Sequence, residues 1–517
     1  MKSMKKRGNA SAPKVSVFSR ILILMIAAAL LLTGCEEKEE PSEPTQDASV
    51  PRAIPTAILK APYSDQDSLN PFYCVSYMNA CLTPLSYEGL FSVDVQGNIN
   101  PCAASSYTET DDEVVVAIPT GSRFSDGSEM TSADVVYSFH TAKESSLYRN
   151  SLSEIEDVMA VSPYEVKFIF ESRFPGRVGA LTFPIVKTGT AEMPADIPIG
   201  CGRYYCSSSE EGFFYRYSEQ YRGDWGSVAE IDLIPVADED KLNYMLSSGE
   251  IDFYQTNLYG ARTARTSASS CICPQNNLIY LGFNSDSVFT EPILRRAVSY
   301  AIDRTEISGS VYSDAAEPAV IPMRKNSRLV TQGYAEEISE AVDYATAAAL
   351  LQEGGYQPDT LKLTLLVNSE SAYRRQTADC IVSSLAKLGI TVTVRVLKYE
   401  NYIEALQTGN YQMYLGEVKL PDSGASDVFF GGEAGFGLSE ESASAVAYQA
   451  LLDGSGSLTS FIGTFFENVP FAPICFRNDV LYCGAGITIP DEITTLSAGL
   501  ADISGWIVSA EQSETPQ

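Results

Sequence analysis

Leu361-Lys-Leu-Thr-Leu-Leu-Val367, a short apolar run between polar neighbours, opens the stretch that decides the fold. Its length and composition predict a buried strand. Tyr373 to Leu388 follows, with Ala378, Ile381, Leu385 and Leu388 three or four apart, the spacing that gathers side chains on one helical face. Lys387 in the last turn and Gly389 just after it suit a helix end, a cation against the dipole and a residue free to turn left-handed. Ile390-Thr-Val-Thr-Val-Arg-Val396 alternates with strand period, Tyr399 to Gln407 reads as a second helix, and Tyr411 to Gly416 as a third strand. Strand–helix–strand–helix–strand implies right-handed crossovers and parallel neighbours. Ligands bind such sheets beyond the carboxyl ends of the strands, where the loop Glu417-Val-Lys-Leu-Pro-Asp422 is expected.

The rest of the chain sets the context. At 517 residues it should hold two or three domains, and 45% apolar with 20% charged residues fits a folded protein. Residues 1–34 carry six Lys or Arg and no acid, so losing them takes the formal charge from -30 to -36. A body this acidic is repelled by nucleic acid and by anionic headgroups. The N-terminal basic region ends at Arg20 and the apolar run Ile21 to Leu32 follows. Twelve residues rise only about 18 Å as a helix, too short to span a bilayer, so residues 1–34 read as a cleaved signal peptide. Leu32-Thr-Gly-Cys35 resembles the bacterial lipobox, which makes Cys35 the expected lipidation site. Residues 35–51, rich in Glu, Pro, Ser and Thr, read as a flexible stalk. The expected location is outside the cytoplasm, on the outer face of the membrane, with the lipid anchor as the only membrane contact.

Ten cysteines remain beyond Cys35. An even number in an exported chain allows disulfides, with Cys201/Cys206 and Cys475/Cys483 near enough in sequence to pair; buried free thiols are the alternative. There is no CxxC, and Cys271-Ile-Cys273 fits metal-ligand spacing poorly, so no metal and no cofactor is expected.

Elsewhere, Ala53 to Lys60, Val114 to Ile118 and Glu165 to Phe170 read as strands, Gly121 to Gly127 as a hairpin loop, and Thr131-Ser-Ala-Asp134 as a capping box opening a helix. Phe124-Ser-Asp-Gly127 with Thr131-Ser-Ala-Asp-Val-Val-Tyr-Ser138 resembles a signature of the extracytoplasmic solute-binding proteins of family 5, the peptide- and nickel-binding components of ABC importers. Further motifs follow in that family's order: Ile199-Gly-Cys-Gly-Arg-Tyr204, with Arg203 where proline is usual; Leu246-Ser-Ser-Gly-Glu-Ile-Asp252; Tyr280-Leu-Gly-Phe-Asn284; Leu294-Arg-Arg-Ala-Val-Ser-Tyr-Ala-Ile-Asp-Arg304; and Leu388-Gly-Ile-Thr-Val392. Tyr411-Gln-Met413 carries Gln412 where the family has Asp. In the helix from Pro292, Leu294, Ala297, Val298, Ala301 and Ile302 form a buried stripe, and Arg295, Arg296, Asp303 and Arg304 read as structural.

The resemblance implies an α/β, two-lobed, periplasmic-binding-protein-like fold of type II, in its large three-segment variety, with a hinge between lobes. Lobe 1 is expected from residues 52–86, 205–285 and 481–517, an inserted subdomain of it from 87–204, and lobe 2 from 286–480. In peptide-binding relatives an Asp shortly after the strand that begins at Tyr411 pairs with the ligand ammonium, and Asp422 is the nearest match, offset by about one position. Gly416-Glu-Val418 stands where the family has Gly-Trp. Glu417, Val418 and Tyr77 complete the set of expected ligand-binding residues. The implied function is a lipid-anchored receptor that binds short peptides and hands them to an ABC permease with its ATPase.

Nickel, a metal chelate, a glycan or another solute on the same fold is the alternative within that class. Chemistry has little purchase: His140, the only histidine, lies in a helix read as structural, and there is no Gly-x-Ser-x-Gly elbow, phosphate loop or His-Glu-x-x-His. No catalytic residue is expected. Sixty-six acids still leave a hydrolase with a carboxylate pair as a rival from another class, and a sensor or adhesion lipoprotein as a third.

Overall fold

Parallel pairing organises the C-terminal half. The strand Lys362–Asn368 is flanked on one side by Thr391–Leu397 and on the other by Met413–Lys419, both parallel to it. Helices Ala372–Ala386 and Tyr399–Gln407 supply the crossovers. The first buries Tyr373, Ala378, Ile381 and Leu385, the face that the three–four spacing marks. Gly389 follows it at φ +86°, as the left-handed stop requires.

Coordinates come from a computed structural model, which describes residues 53–110, 112–171, 176–259, 268–334, 337–424, 426–430, 441–493 and 495–509. The expected signal peptide, Cys35 and the stalk lie outside the described residues, and the chain from Ala53 onward forms one compact unit. Among the described residues no helix is long and apolar enough to cross a membrane.

The parallel trio continues into a mixed sheet of seven strands. Met413–Lys419 pairs antiparallel with the fifteen-residue strand Ser269–Phe283, which pairs with the thirteen-residue strand Phe471–Cys483. These two long strands belong to more than one hydrophobic core. Their Cys271, Cys273, Leu481 and Cys483 pack in a core with Leu59, Ile231 and Trp506. Ile279, Leu281, Ala472 and Ile474 pack in another with Leu294, Leu365 and Ile381. Between the two, the ladder loses register from Cys273 to Asn277, so Pro274, Gln275 and Asn276 interrupt the pairing where the strands pass from one core to the other.

Two four-stranded sheets and two short two-stranded ribbons accompany this sheet among the described residues. Ala57–Tyr63 pairs parallel with Val228–Pro235, and Gly212–Tyr217 and Tyr204–Ser209 extend that sheet. Ser106–Glu109, Glu113–Ala117, Glu165–Phe170 and Ile155–Ser162 form the other, with its own core against the helix Ser132–Glu144. That helix opens on a capping box, Thr131 N–H donating to Asp134 Oδ2 at 2.9 Å.

Helix Pro292–Ala301 buries Leu294, Ala297, Val298 and Ala301. Arg295 donates to the carbonyls of Phe289, Asn468 and Val469, and Arg304 to those of Ala319 and Pro473, so both serve main-chain carbonyls. The ten described cysteines are all free thiols. The spacings that allowed two disulfides do not produce them. Cys475 and Cys483 sit on one continuous strand, about 26 Å apart at ~3.3 Å per residue.

Candidate functional site

The loop after Met413–Lys419 is pinned at both ends. Leu420 N–H donates to Asn276 O at 2.9 Å and its side chain is buried. Ser426 N–H donates to Tyr448 Oη at 2.7 Å, and its hydroxyl to Pro322 O. Beneath the loop lies an aromatic core in which Phe429 stacks on Phe471 at 4.1 Å and meets Tyr280 edge-on at 5.0 Å. Asp422 is thus carried on a turn with a rigid base.

Asp422 is half-buried. Its Oδ1 accepts from Ser497 Oγ at 2.8 Å and from Asn276 Nδ2 at 3.3 Å. Asn276 lies in the interruption between the two cores, and Arg324 donates to its Oδ1 at 3.3 Å and to Asn478 Oδ1 at 2.8 Å. Burial raises the Asp422 carboxyl above its ordinary range; Lys419, the two hydrogen bonds and Arg324 oppose that shift without cancelling it.

Two cavities meet at this residue. One, of about 400 Å³, lies between Val93, Tyr107 and Glu109 on one side and Arg324, Asp422 and Phe476 on the other. The second, of about 420 Å³, is bounded by Glu88, Arg203 and Tyr221 opposite Lys419 and Asp422, and Ser497 also lines it. Each falls in the size range of small-ligand sites.

Tyr77 and Glu417 lie elsewhere, in one buried polar chain. Tyr77 begins the helix Tyr77–Ser86 and its hydroxyl donates to Asp479 Oδ2 at 2.6 Å. Gln255 Nε2 donates to the Tyr77 oxygen at 2.9 Å and to Asp479 Oδ2 at 3.1 Å. Asp479 Oδ1 faces Arg477 Nη1 at 3.5 Å. Arg477 grips Glu417 Oε1 through Nε and Nη2 at 2.8 and 2.6 Å, and Arg374 grips Oε2 at 3.2 and 2.7 Å. Arg374 then donates to Asn368 Oδ1 at 3.1 Å, at the end of its strand. The two acids and two bases balance, as buried charges must. Burial works against ionising Glu417, yet the two guanidinium groups hold its carboxyl below the ordinary range. For Asp479 burial prevails and the carboxyl rises, with Arg477 only partly compensating.

The loop expected at Glu417 therefore begins later. Glu417, Val418 and Lys419 remain in the ladder, opposite Ile279, Leu278 and Asn277. Glu417 turns both oxygens to its arginines, and Val418 packs against the aromatic core. Neither residue, nor Tyr77, borders the two cavities; Asp422 borders both. Lys419 stood in the loop expected to bind, whereas Arg203, Glu88, Asn276 and Ser497 escaped the sequence reading, because nothing local marks residues from distant segments as neighbours. Arg203 alone left a trace, as an arginine in a turn that resembles one usually closed by proline. Among the described residues no three His, Cys, Asp or Glu side chains are arranged to hold a metal ion.

Comparison with known proteins follows the same lines. The family model described as bacterial extracellular solute-binding proteins, family 5 Middle, matches residues 98–430. The glutathione-binding protein GsiB of Shigella flexneri serotype 5b is 25% identical over 371 residues, covering 66% of this chain and 69% of its own. Among solved structures, the ABC transporter substrate-binding protein CtaP of Listeria monocytogenes is similar with a TM-score of 0.69 at 20% identity, over 88% of this chain and 100% of that one. NikZ of Campylobacter jejuni, solved with Ni(L-His), is similar with a TM-score of 0.63 at 17% identity, over the same shares.

Proposed function

For a chain that belongs to the bacterial extracellular solute-binding proteins of family 5, we propose the capture of short peptides and their delivery to the permease of an ABC importer. The observation that carries this reading is Asp422, a carboxylate fixed by Ser497 and Asn276 where two ligand-sized cavities meet. An ammonium placed there would gain a charge-assisted hydrogen bond in surroundings partly shielded from water, where such a bond is strongest. Family 5 membership leaves the solute open, and the glutathione named for GsiB is itself a small peptide.

In this reading the interruption at Pro274–Asn276 is the hinge, which moves the lobe boundary expected after residue 285 back to about 276, and the other boundaries are those expected from the sequence. Closure shuts the inserted subdomain of residues 87–204 against the Asp422 loop, and the solute leaves unchanged. Cys35 carries the lipid, and the stalk of residues 35–51 gives the body reach above the membrane. Native mass spectrometry of the protein as purified, followed by calorimetry with the peptides found, tests the proposal. Co-purified peptides that rebind, with affinity at least about 10-fold weaker in Asp422→Asn, are expected. A nickel chelate or a glycan in their place would overturn the peptide reading and keep the receptor; turnover of the bound solute would overturn both.

A further inference from the structure

Asp422 supplies one charge to the second cavity, and Arg203 faces it with the other sign. The turn that carries Arg203 is pressed against the end of helix Tyr77–Ser86. A Cβ on Gly200 would lie 2.0 Å from Ser86 O and one on Gly202 2.4 Å from Ser86 C, while Gly202 N–H donates to Ser86 O at 2.9 Å. This leaves Arg203 little freedom. Its residue is 9% exposed, and the guanidinium lies over the Tyr221 ring at 5.1 Å. Nε donates to Asp224 O at 2.7 Å and Nη1 to Ala501 O at 2.8 Å.

Those two carbonyls are neutral. Among the described residues no carboxylate lies within ion-pair distance of Arg203, and Nη2 has no protein acceptor. The acids close enough to feel its charge are engaged by hydroxyls: Glu88 by Tyr221 Oη at 2.6 Å, Asp502 by Thr495 Oγ1 at 3.3 Å. Burial raises both carboxyls above their ordinary range, which weakens them as counter-ions. A guanidinium nine-tenths buried without an ionic partner is costly, and its fork geometry suits a carboxylate.

We propose that Arg203 is the anion anchor of the second cavity and takes a carboxylate of the bound solute, so that the solute lies between Asp422 and Arg203 with a positive and a negative group. This rests on the peptide reading of the cleft and names the second group of the peptide that the protein reads.

The test uses calorimetry on the mature protein with three pools of random tripeptides: free acids, their C-terminal amides, and amides that carry one Glu. Wild type should bind the free acids at least about 10-fold more tightly than the plain amides. Arg203→Gln should reduce that preference below about 3-fold, with Arg203→Lys in between. Recovery of affinity by the Glu-bearing amides would still support the anchor and assign it to a side-chain carboxylate. Equal binding of all three pools by wild type would overturn the anchor while leaving peptide binding intact, and that comparison needs no variant to fold. A preference undiminished in Arg203→Gln would overturn it too. Binding of no pool would sink the peptide reading and this subsite together.

Discussion

The Tyr77 hydroxyl and the Asp479 carboxylate share a 2.6 Å hydrogen bond across 402 positions of chain. It fastens the start of a helix near the N-terminus to a strand near the C-terminus, and Arg477 passes the link on to Glu417. Asp479 is almost wholly buried, so its acceptors need donors. Tyr77→Phe leaves Gln255 as the other donor to the same oxygen. The expected loss is about 1–2 kcal/mol in urea denaturation, with peptide affinity nearly unchanged. A loss of affinity larger than the loss of stability would instead put Tyr77 in contact with the solute.

Glu417 should behave in the opposite way to Asp422. Glu417→Gln leaves Arg374 and Arg477 buried with an excess positive charge, and a cost of about 3–5 kcal/mol is expected. Its folded pKa lies below the unfolded value. Its contribution is therefore whole above the ordinary Glu range, near ~4.3, and is lost as pH falls through the depressed folded value. Chemical denaturation from pH 7 downward should show wild type losing its advantage over Glu417→Gln in that acid window. A constant gap between the two would show that the ion triad contributes no linkage.

Much of this was readable from local pattern, and the reason is range. Tyr399–Gln407 falls where the sequence puts it, and Lys362–Asn368 and Thr391–Leu397 shift by one residue, because periodicity and caps act over a few positions. The loop that carries Asp422 could be placed because a chain position after a strand is local information, whereas Asp422 itself was singled out by the resemblance to peptide-binding relatives. The strand end was misplaced by three residues since the ladder with Asn277–Ile279, not the polar character of Glu417 and Lys419, decides where pairing stops. The partners of Glu417 stand 43 and 60 positions away, and those of Asp422 stand 75 and 146 away. No spacing rule reaches that far. Arg203 becomes a cleft residue only through folding.

Peptide affinity should depend on pH through Asp422. Burial raises this carboxyl, so it takes up a proton at a higher pH than an exposed aspartate would. The charged form holds the ammonium. Affinity should therefore be flat near neutrality and fall on acidification, beginning above the ordinary Asp value near ~3.9. Asp422→Asn should be weak throughout and lack that acid limb. Calorimetry at a series of pH values, read alongside circular dichroism to confirm that the fold persists, decides it. An acid limb retained in the variant would assign the titration to another group.

Closure can be tested where the inserted region touches the Asp422 loop. Gly179 has no room for a side chain: a Cβ would lie 3.0 Å from Ser423 Cα and 3.1 Å from Ser423 N. Gly176 nearby has φ +90° and would put a Cβ 3.0 Å from Ser423 O. Backbone atoms on both sides cannot swing aside as a flexible side chain would, so Gly179→Leu should hold the two surfaces apart. The variant's own core contacts lie elsewhere, on Val178 and Ala180, and should keep the subdomain folded. Wild type should contract in small-angle scattering when a binding peptide is added, whereas Gly179→Leu should stay expanded and bind at least about 10-fold more weakly. Contraction of the variant to the wild-type radius would mean that this contact is not the one closure makes, and an unchanged radius in wild type would remove closure as the mechanism.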